Sequence, residues 1–190
     1  MWTFLDTIGA SVIGASIIFM VLALTLQMNN VSNQITDNNL IQSYYTASMD
    51  ILEYDIHKMG YRTDGEMIIL ADSTNLKYCV DLSDSGRVDT VHYTAATTLT
   101  DSIGNDIYIG RQVNNGDIEN IGIVSAFNMS YYDSLGNTLN YIELSTSANR
   151  AKIRTIEIQL ELTVQWEDTT GYNDVNWRVR VQPKNLLSRE

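Results

Sequence analysis

The chain has 190 residues, enough for one domain of ordinary size with an additional segment. Its formal net charge of −11 gives a surface that repels phosphate groups, so we expect no nucleic-acid partner. A single cysteine, Cys79, excludes an intramolecular disulfide bond and any CxxC metal or redox motif.

The N-terminal segment, residues 1–28, is apolar. No charged residue occurs between Asp6 and Asp37, and no lysine or arginine precedes Lys58. An α-helix of about 20 apolar residues crosses the hydrocarbon core of a bilayer. A cleaved secretory signal normally has a basic start and small residues at the end of its apolar run, and both are missing here. The segment therefore predicts a helix that enters a membrane, although the basic flank that usually orients a single-span anchor is absent.

Two roles are open for Asp6 at the head of this segment. A carboxylate in the first helical turn interacts favourably with the positive end of the helix dipole. Alternatively, the carboxylate pairs with a cation on another molecule. Small residues recur along one face of the helix, which allows close approach of a second helix. The residues that we expect to pack in this way are Thr7, Ala10, Gly14 and Ala15.

Residues 29–62 predict an amphipathic continuation of the same helix, from about Thr3 to Met59, with a local break at Asn29-Asn30 as the alternative. One apolar stripe follows the 3.6-residue period and should dock a sheet. It consists of Ile41, Tyr45, Met49, Leu52 and Ile56. A second strip beside it predicts a helix covered on more than one side. Its members are Leu40, Tyr44, Ala47, Ile51 and Tyr54. Gly60 predicts the left-handed stop of the helix.

Residues 63–190 predict a β-rich head. Residues 156–166 and 175–181 alternate apolar and polar side chains, as antiparallel strands do, and their glutamates and arginines should pair across the two strands. Pro183 should end the second strand. A hairpin turn is predicted at residues 134–137, and similar turn chemistry occurs at residues 101–109. The predicted fold class is therefore α+β: a long N-terminal helix packed on a C-terminal antiparallel sheet.

No pattern of catalytic residues stands out. His57 and His92 lack metalloprotease spacing, and the GxSxG, phosphate-loop and EF-hand motifs are absent. We therefore expect no enzymatic activity, no cofactor and no metal site. Cys79 should be a small buried strand residue. The acidic residues of the predicted turns are interpreted as solvated side chains, in preference to calcium ligands. They are Asp81, Asp84, Asp101 and Asp106.

This layout resembles the type IV pilins and the pseudopilins of type II secretion. Counted from Trp2, WTFLD is similar to the mature pilin start, in which an acid stands fifth. The segments YDIHKMGYR, FNMSYYDSLGN, IRTIEIQLELTV and WRVRVQPKNL are similar to J-type minor pseudopilins and related minor pilins. The resemblance implies that Asp6 neutralises the N-terminal amine of a neighbouring subunit, on Trp2 or Met1. It also explains the missing lysines, because unpaired cations are costly in a filament core.

The resemblance implies a structural subunit that is located in the inner membrane before assembly. It would then polymerise through its N-terminal helix, with the aid of a pilus or secretion assembly machinery. The product would be an extracellular or cell-envelope filament. The alternatives are a minor or initiating pseudopilin and a single-span membrane-anchored binding domain. The family is made with a basic leader ending in glycine and usually carries Glu at the acid position. Here Asp6 stands at that position and the sequence begins at Met1, which a trimmed leader or a divergent branch would explain. Sequons at Asn30 and Asn128 only weakly indicate glycosylation.

Overall fold

The computed structural model describes residues 2–101, 104–165 and 172–187, and within these ranges it leaves out the side chains at 2, 37, 40, 41, 44, 97–101, 104–106, 163–165 and 172–174. The fold is α+β, as predicted: a long N-terminal helix is followed by antiparallel sheets. The chain divides into two compact units, residues 1–46 and 47–190, and each is described by itself.

Helix α1 spans Trp2–Lys58 and is continuous through Asn29-Asn30. No proline interrupts it, and Gly60 follows its end with a φ of 74°. That left-handed conformation suits glycine and stops the helix. Near the end of the helix, the side-chain amide of Asn185 donates a hydrogen bond of 3.1 Å to the carbonyl of Met59.

The first sheet has five strands in the order β1-β2-β3-β4-β5, all antiparallel. Their bounds are β1 Ile68–Ala71, β2 Asn75–Val80, β3 Asp89–Asp101, β4 Gly104–Val113 and β5 Ile118–Val124. The last three turns of α1 belong to the same compact unit and contact this sheet. The hydroxyl of Ser48 donates to the carbonyl of Ile121 in β5.

The second sheet has four strands in the order β7-β6-β8-β9. Their bounds are β6 Ala126–Tyr132, β7 Thr138–Leu139, β8 Thr155–Gln165 and β9 Tyr172–Val181. Between β7 and β8 lie a 3-10 turn, Glu143–Ser145, and helix α2, Ser147–Arg150; helix α3, Lys184–Leu187, follows β9. Strands β8 and β9 pair antiparallel with Glu157 opposite Arg180, as predicted, and β9 ends before Pro183.

The prediction of one sheet is incomplete, because the described part of the head forms two. Strand β5 ends at Val124 and β6 begins at Ala126, so the chain changes sheets at Ser125, whose amide donates to the carbonyl of Glu161 in β8. The most regular predicted strands, β8 and β9, thus lie in the second sheet, whereas the end of α1 contacts the first. The core contains apolar residues from both sheets. Among them are Tyr78, Val91, Ile109, Met129, Ile156 and Leu160.

Candidate functional site

The apolar part of α1 is the most distinctive feature of the chain. Residues 3–36 form one helix long and apolar enough to cross a membrane. The described side chains of this segment are exposed apart from Gly14 and Gln34, which are half-buried. Phe4 and Phe19, for example, are 71% and 72% exposed. An N-terminal helix of this kind is compatible with a membrane anchor or with a signal sequence.

Several hydroxyl groups of the segment bond to the helix itself. Thr7 donates to the carbonyl of Thr3 at 2.7 Å, Ser16 to that of Val12 at 2.7 Å, and Thr25 to that of Val21 at 2.8 Å. Such back-bonding satisfies a hydroxyl without water or a partner. The segment can therefore enter an apolar environment without leaving these polar groups unpaired.

Asp6 is exposed, and its carboxylate pairs with no other residue that the structure describes. Because α1 begins at Trp2, Asp6 lies beyond the first turn, where no acidic residue occurs. Since the dipole effect decays within the first turn, this position favours charge pairing over the helix-dipole role considered for Asp6. The side chain of Trp2 and the whole of Met1, the predicted sources of the partner amine, lie outside the described residues.

The predicted helix-packing face is unoccupied within the described chain. A side chain built on Gly14 would meet no atom within 4 Å. Thr7, Ala10 and Ala15 are exposed. These residues thus lie on one helix, and the structure brings no second described element against them.

The predicted docking stripe divides between the two units. Met49, Leu52 and Ile56 lie in the head and are buried. Tyr45, in the N-terminal unit, is half-buried, and the side chain of Ile41 is outside the described set. The expected covering of the second strip is wrong where it is described, because Ala47, Ile51 and Tyr54 are exposed. Only one face of the helix end enters the core.

A buried ionic cluster joins the helix end to the first sheet, and the sequence did not predict it. Asp55 is 4% exposed, and its Oδ2 accepts two hydrogen bonds of 2.7 Å. The donors are the hydroxyl of Tyr93 in β3 and Nε of Arg111 in β4. Tyr93 and Arg111 are directly opposite each other in the sheet. A buried charge is tolerated when it is paired and hydrogen-bonded in this way.

The cluster also changes the titration of Tyr93 and Arg111. Burial, together with the Asp55 carboxylate, raises the pKa of Tyr93, which therefore remains a neutral donor. Burial favours the neutral form of Arg111, but the hydrogen bonds and charge interactions with Asp55 and Tyr93 together outweigh burial and raise the pKa of the guanidinium. Tyr78 lies in the same electrostatic environment; burial raises its pKa, and its hydroxyl has no hydrogen-bond partner among the described residues. The cluster holds charge in place and has no solvent-facing nucleophile or base.

One signal in the sequence could have identified this cluster. Asp55 stands between Leu52 and Ile56, within the apolar stripe of α1, and is three residues from Leu52. Residues at that spacing share a helix face. A carboxylate on a face that enters the core needs a buried cationic or hydrogen-bonding partner.

Other predicted positions are corrected by the structure. Asp81 is buried, not solvated, and its carboxylate accepts hydrogen bonds from the amides of Ser85 and Gly86 at 3.0 and 2.8 Å. Asp84 is exposed, as expected. Cys79 is half-buried because the neighbouring Tyr78 occupies the core side of β2. The side chains of the two remaining turn acids lie outside the described set: Asp101 and Asp106.

The two sequons differ in exposure: Asn30 is exposed, whereas Asn128 is half-buried and its amide donates to the hydroxyl of Ser130 at 3.3 Å. Within the described ranges, no group of three or more His, Cys, Asp or Glu residues is arranged to hold a metal ion. No protein-family model, curated protein or solved structure matches the chain.

Proposed function

We propose that the chain is a structural subunit of a type IV pilin-like filament, in which N-terminal helices bundle into the core and the β heads form the surface. The observation that carries this proposal is the carboxylate of Asp6. It is the first charge of an apolar helix, it pairs with no described residue, and no cation precedes Lys58 in the sequence. A cation for Asp6 in an apolar bundle would therefore come from another molecule, and the resemblance assigns that role to a neighbour's N-terminal amine.

The energetic reason is the cost of an unpaired charge in hydrocarbon. An aspartate at the centre of a bilayer costs about 2.5–3.5 kcal/mol, and less near the interface. Pairing with an amine in the filament would offset this cost and would draw each subunit out of the membrane. The self-bonded hydroxyls and the small face at Gly14 are compatible with dense helix packing in the absence of water.

A second candidate is a single-span membrane-anchored binding domain, which the apolar helix near the N-terminus also favours. A minor or initiating subunit is the third. In a lone anchor, Asp6 has no partner to lose, so its neutralisation should have no effect on assembly. The effect of neutralising Asp6 therefore distinguishes a lone anchor from a main filament subunit.

The test is electron microscopy of material sheared from cells that express the full chain. We expect thin filaments containing the wild-type protein, and their loss in Asp6→Ala and Asp6→Asn. Asp37→Ala is the matched control, because it removes the next acid of α1 and should leave the filaments in place. Filaments unaffected by Asp6→Asn would contradict the charge-pairing role. Wild-type protein that stays as isolated molecules in the membrane fraction would favour the anchor, and a trace amount within filaments of another protein would favour the minor subunit.

A further inference from the structure

The head contains a cavity beside helix α2, which we call the α2 cavity. Its volume is about 380 Å³, within the range of about 300–1,000 Å³ that small-molecule sites occupy. Helix α2 forms one wall, residues 65–68 before and at the start of β1 form another, and Leu186 of α3 and Arg154 complete the lining. The lining belongs to one compact unit, the head, so a small molecule could be bound without any contribution from the apolar part of α1.

The guanidinium of Arg150 is part of the structural frame of the cavity. Its side chain is 12% exposed and pairs with the carboxylate of Glu66. Its Nε also donates to the carbonyl of Ile68 at 3.0 Å, and its Nη1 donates to the carbonyls of Leu144 and Ser145 at 3.0 and 2.8 Å. Arg150 therefore joins the walls of the cavity to one another, and its charge is compensated within the protein.

Arg154 is bonded differently, through one nitrogen only. Its Nη1 donates to the carbonyls of Ala151 and Ile153, at 2.7 and 3.0 Å. Its Nε and Nη2 make no hydrogen bond to a residue that the structure describes. These two nitrogens form one edge of the guanidinium, and their parallel N–H groups match the two oxygens of a carboxylate. The carbonyls thus orient Arg154 and leave its bidentate edge unused.

Arg154 also differs from the other half-buried arginines of the described chain. These are Arg111 and Arg150, which pair with Asp55 and Glu66. Arg154 is half-buried as well, but it forms no ion pair with a described residue. A partly desolvated cation without a carboxylate is unfavourable, so an anion from another molecule would be stabilised at this position.

The acid that lies next to Arg154 across the sheet does not supply this partner. The amide of Arg154 donates to the carbonyl of Tyr132, which brings Asp133 close along the chain. The carboxylate of Asp133 instead accepts hydrogen bonds from the amides of Leu135 and Asn137 in its own turn, at 2.9 and 2.8 Å. Asp133 is therefore held away from the guanidinium by its own turn.

We propose that the α2 cavity binds a small apolar carboxylate. The carboxylate group would be held by Nε and Nη2 of Arg154, and the apolar part would contact Met67, Ala148 and Leu186 in the lining. The sulfur of Met67 suits an aromatic ring in that part of the ligand. Mostly apolar pockets with a few polar groups that fix orientation are the usual form of small-molecule sites.

The charges of the lining indicate a singly charged ligand. Arg150 and Arg154 are cations and Glu66 is an anion, which leaves one positive charge for the ligand to neutralise. The exposed residues Asp64 and Lys152 flank the lining in sequence and carry opposite charges, so they do not alter this balance. A phosphate dianion would exceed it and would be repelled by Glu66. This inference does not depend on whether α1 forms filaments.

The test is isothermal titration calorimetry of the full chain in non-ionic detergent micelles, with empty micelles as the blank. The probe is phenylbutyrate, and phenylbutyramide is its neutral analogue. We expect saturable binding of the acid, no binding of the amide, and no displacement by inorganic phosphate. A tripeptide, acetyl-Gly-Gly-Phe with a free C-terminus, distinguishes two sources of the same chemistry. Tighter binding of the peptide than of phenylbutyrate would assign the cavity to a chain terminus, and weaker binding would assign it to a free organic acid.

The variants separate the guanidinium from the cavity itself. Arg154→Gln should weaken binding of phenylbutyrate by at least about tenfold, and Arg154→Lys, which keeps the charge without the fork, should recover only part of that loss. Ala148→Leu fills the cavity from an exposed helix position and should also weaken binding, although Arg154 is intact. The matched control is Arg87→Gln, at an exposed arginine outside the lining, with a change of less than about twofold.

Each variant should keep the circular dichroism spectrum of the wild type. Absence of phenylbutyrate binding to the wild type, or equal binding of the amide, would overturn the proposal. Unchanged affinity in Arg154→Gln would overturn the role of the guanidinium. Unchanged affinity in Ala148→Leu would place the ligand outside the cavity and would overturn the proposal as well.

Discussion

Arg111 in β4 donates its Nε hydrogen to Oδ2 of Asp55 in α1, at 2.7 Å. The two residues are far apart in sequence, and this contact fixes the rotation of the helix end over the first sheet. Tyr93 supplies a second donor to the same oxygen, so the carboxylate exchanges its contacts with water for two fixed ones. The head is therefore assembled around a polar contact as well as an apolar core.

Arg111→Gln should lower the free energy of unfolding by about 3 kcal/mol, because it leaves the carboxylate of Asp55 buried without its cation. The measurement is urea unfolding of the full chain in detergent micelles, followed by circular dichroism. Arg62→Gln is the matched control: Arg62 pairs with Asp84 at the surface, with exposures of 52% and 66%, and its loss should cost less than about 1 kcal/mol. In the double variant Asp55→Asn/Arg111→Gln the loss should be smaller than the sum of the single losses. Additive losses would show that the two side chains are not coupled.

Leu52→Ala should destabilise the head by about 2–5 kcal/mol, because Leu52 is 1% exposed and its truncation leaves a cavity in the core of the head. The neighbouring substitution Ile51→Ala, at a side chain that is 45% exposed, should cost less than about 1 kcal/mol. The same urea unfolding experiment compares them. Equal losses would mean that both apolar strips of the helix end are covered, as the sequence alone suggested.

The contribution of Glu157 to the free energy of unfolding should depend on pH. Burial alone would raise the pKa of this carboxyl, but hydrogen bonds from Arg180 and Gln159, together with the positive charges of Arg180 and Arg178, outweigh burial and hold the pKa below 4.5. The folded state thus binds the proton more weakly than the unfolded state does. The stability contributed by Glu157 is present above the unfolded pKa and is lost as the pH falls through the folded pKa.

The measurement is the difference in unfolding free energy between the wild type and Glu157→Gln, followed from about pH 7 to about pH 3. We expect this difference to decrease as the pH falls below 4.5, and to depend less on pH when both proteins also carry Arg180→Gln. A difference that is constant with pH would show that the carboxylate is not stabilised by its arginines.

Gly14→Leu should reduce filament formation by the proposed subunit, because a large side chain on the small face would keep neighbouring helices apart. Val12→Leu enlarges a residue on the opposite face of the helix, two positions before Gly14, and should have little effect on filament formation. Quantification of sheared filaments compares the two variants at equal amounts of membrane protein. A normal filament yield from Gly14→Leu would show that this face does not take part in helix–helix packing.

The sequence predicted the elements that repeat a simple period over many residues. Helix α1 lacks proline and follows a 3.6-residue stripe in its second half, and β8 and β9 alternate apolar and polar residues, so periodicity and local preference agree. The change of sheet at Ser125 was not predictable, because one residue between two strands has no distinctive composition. It depends on the bond from Ser125 to Glu161 in β8, which is a contact between distant parts of the chain.

The burial of individual residues was harder to predict than the elements themselves. Alternation indicated a strand around Cys79, but the short, mixed sequence NLKYCV did not show which of its faces enters the core. The buried face carries the large Tyr78, and Cys79 lies on the other face. Asp55 was missed because its partners, Tyr93 and Arg111, lie on strands that the periodicity did not predict. The charge pairing proposed for Asp6 involves a second molecule and is not visible in one chain.

The position of the buried residues of α1 limits where a protease could release the head from its apolar segment. Met49, Leu52 and Ile56 are part of the core, and the compact head begins at residue 47. Cleavage before that point would release a head whose core is complete. Cleavage after Met49 would remove a core residue and destabilise the released fragment. A stable, naturally shed form of this protein would therefore keep a short helical stump at its new N-terminus.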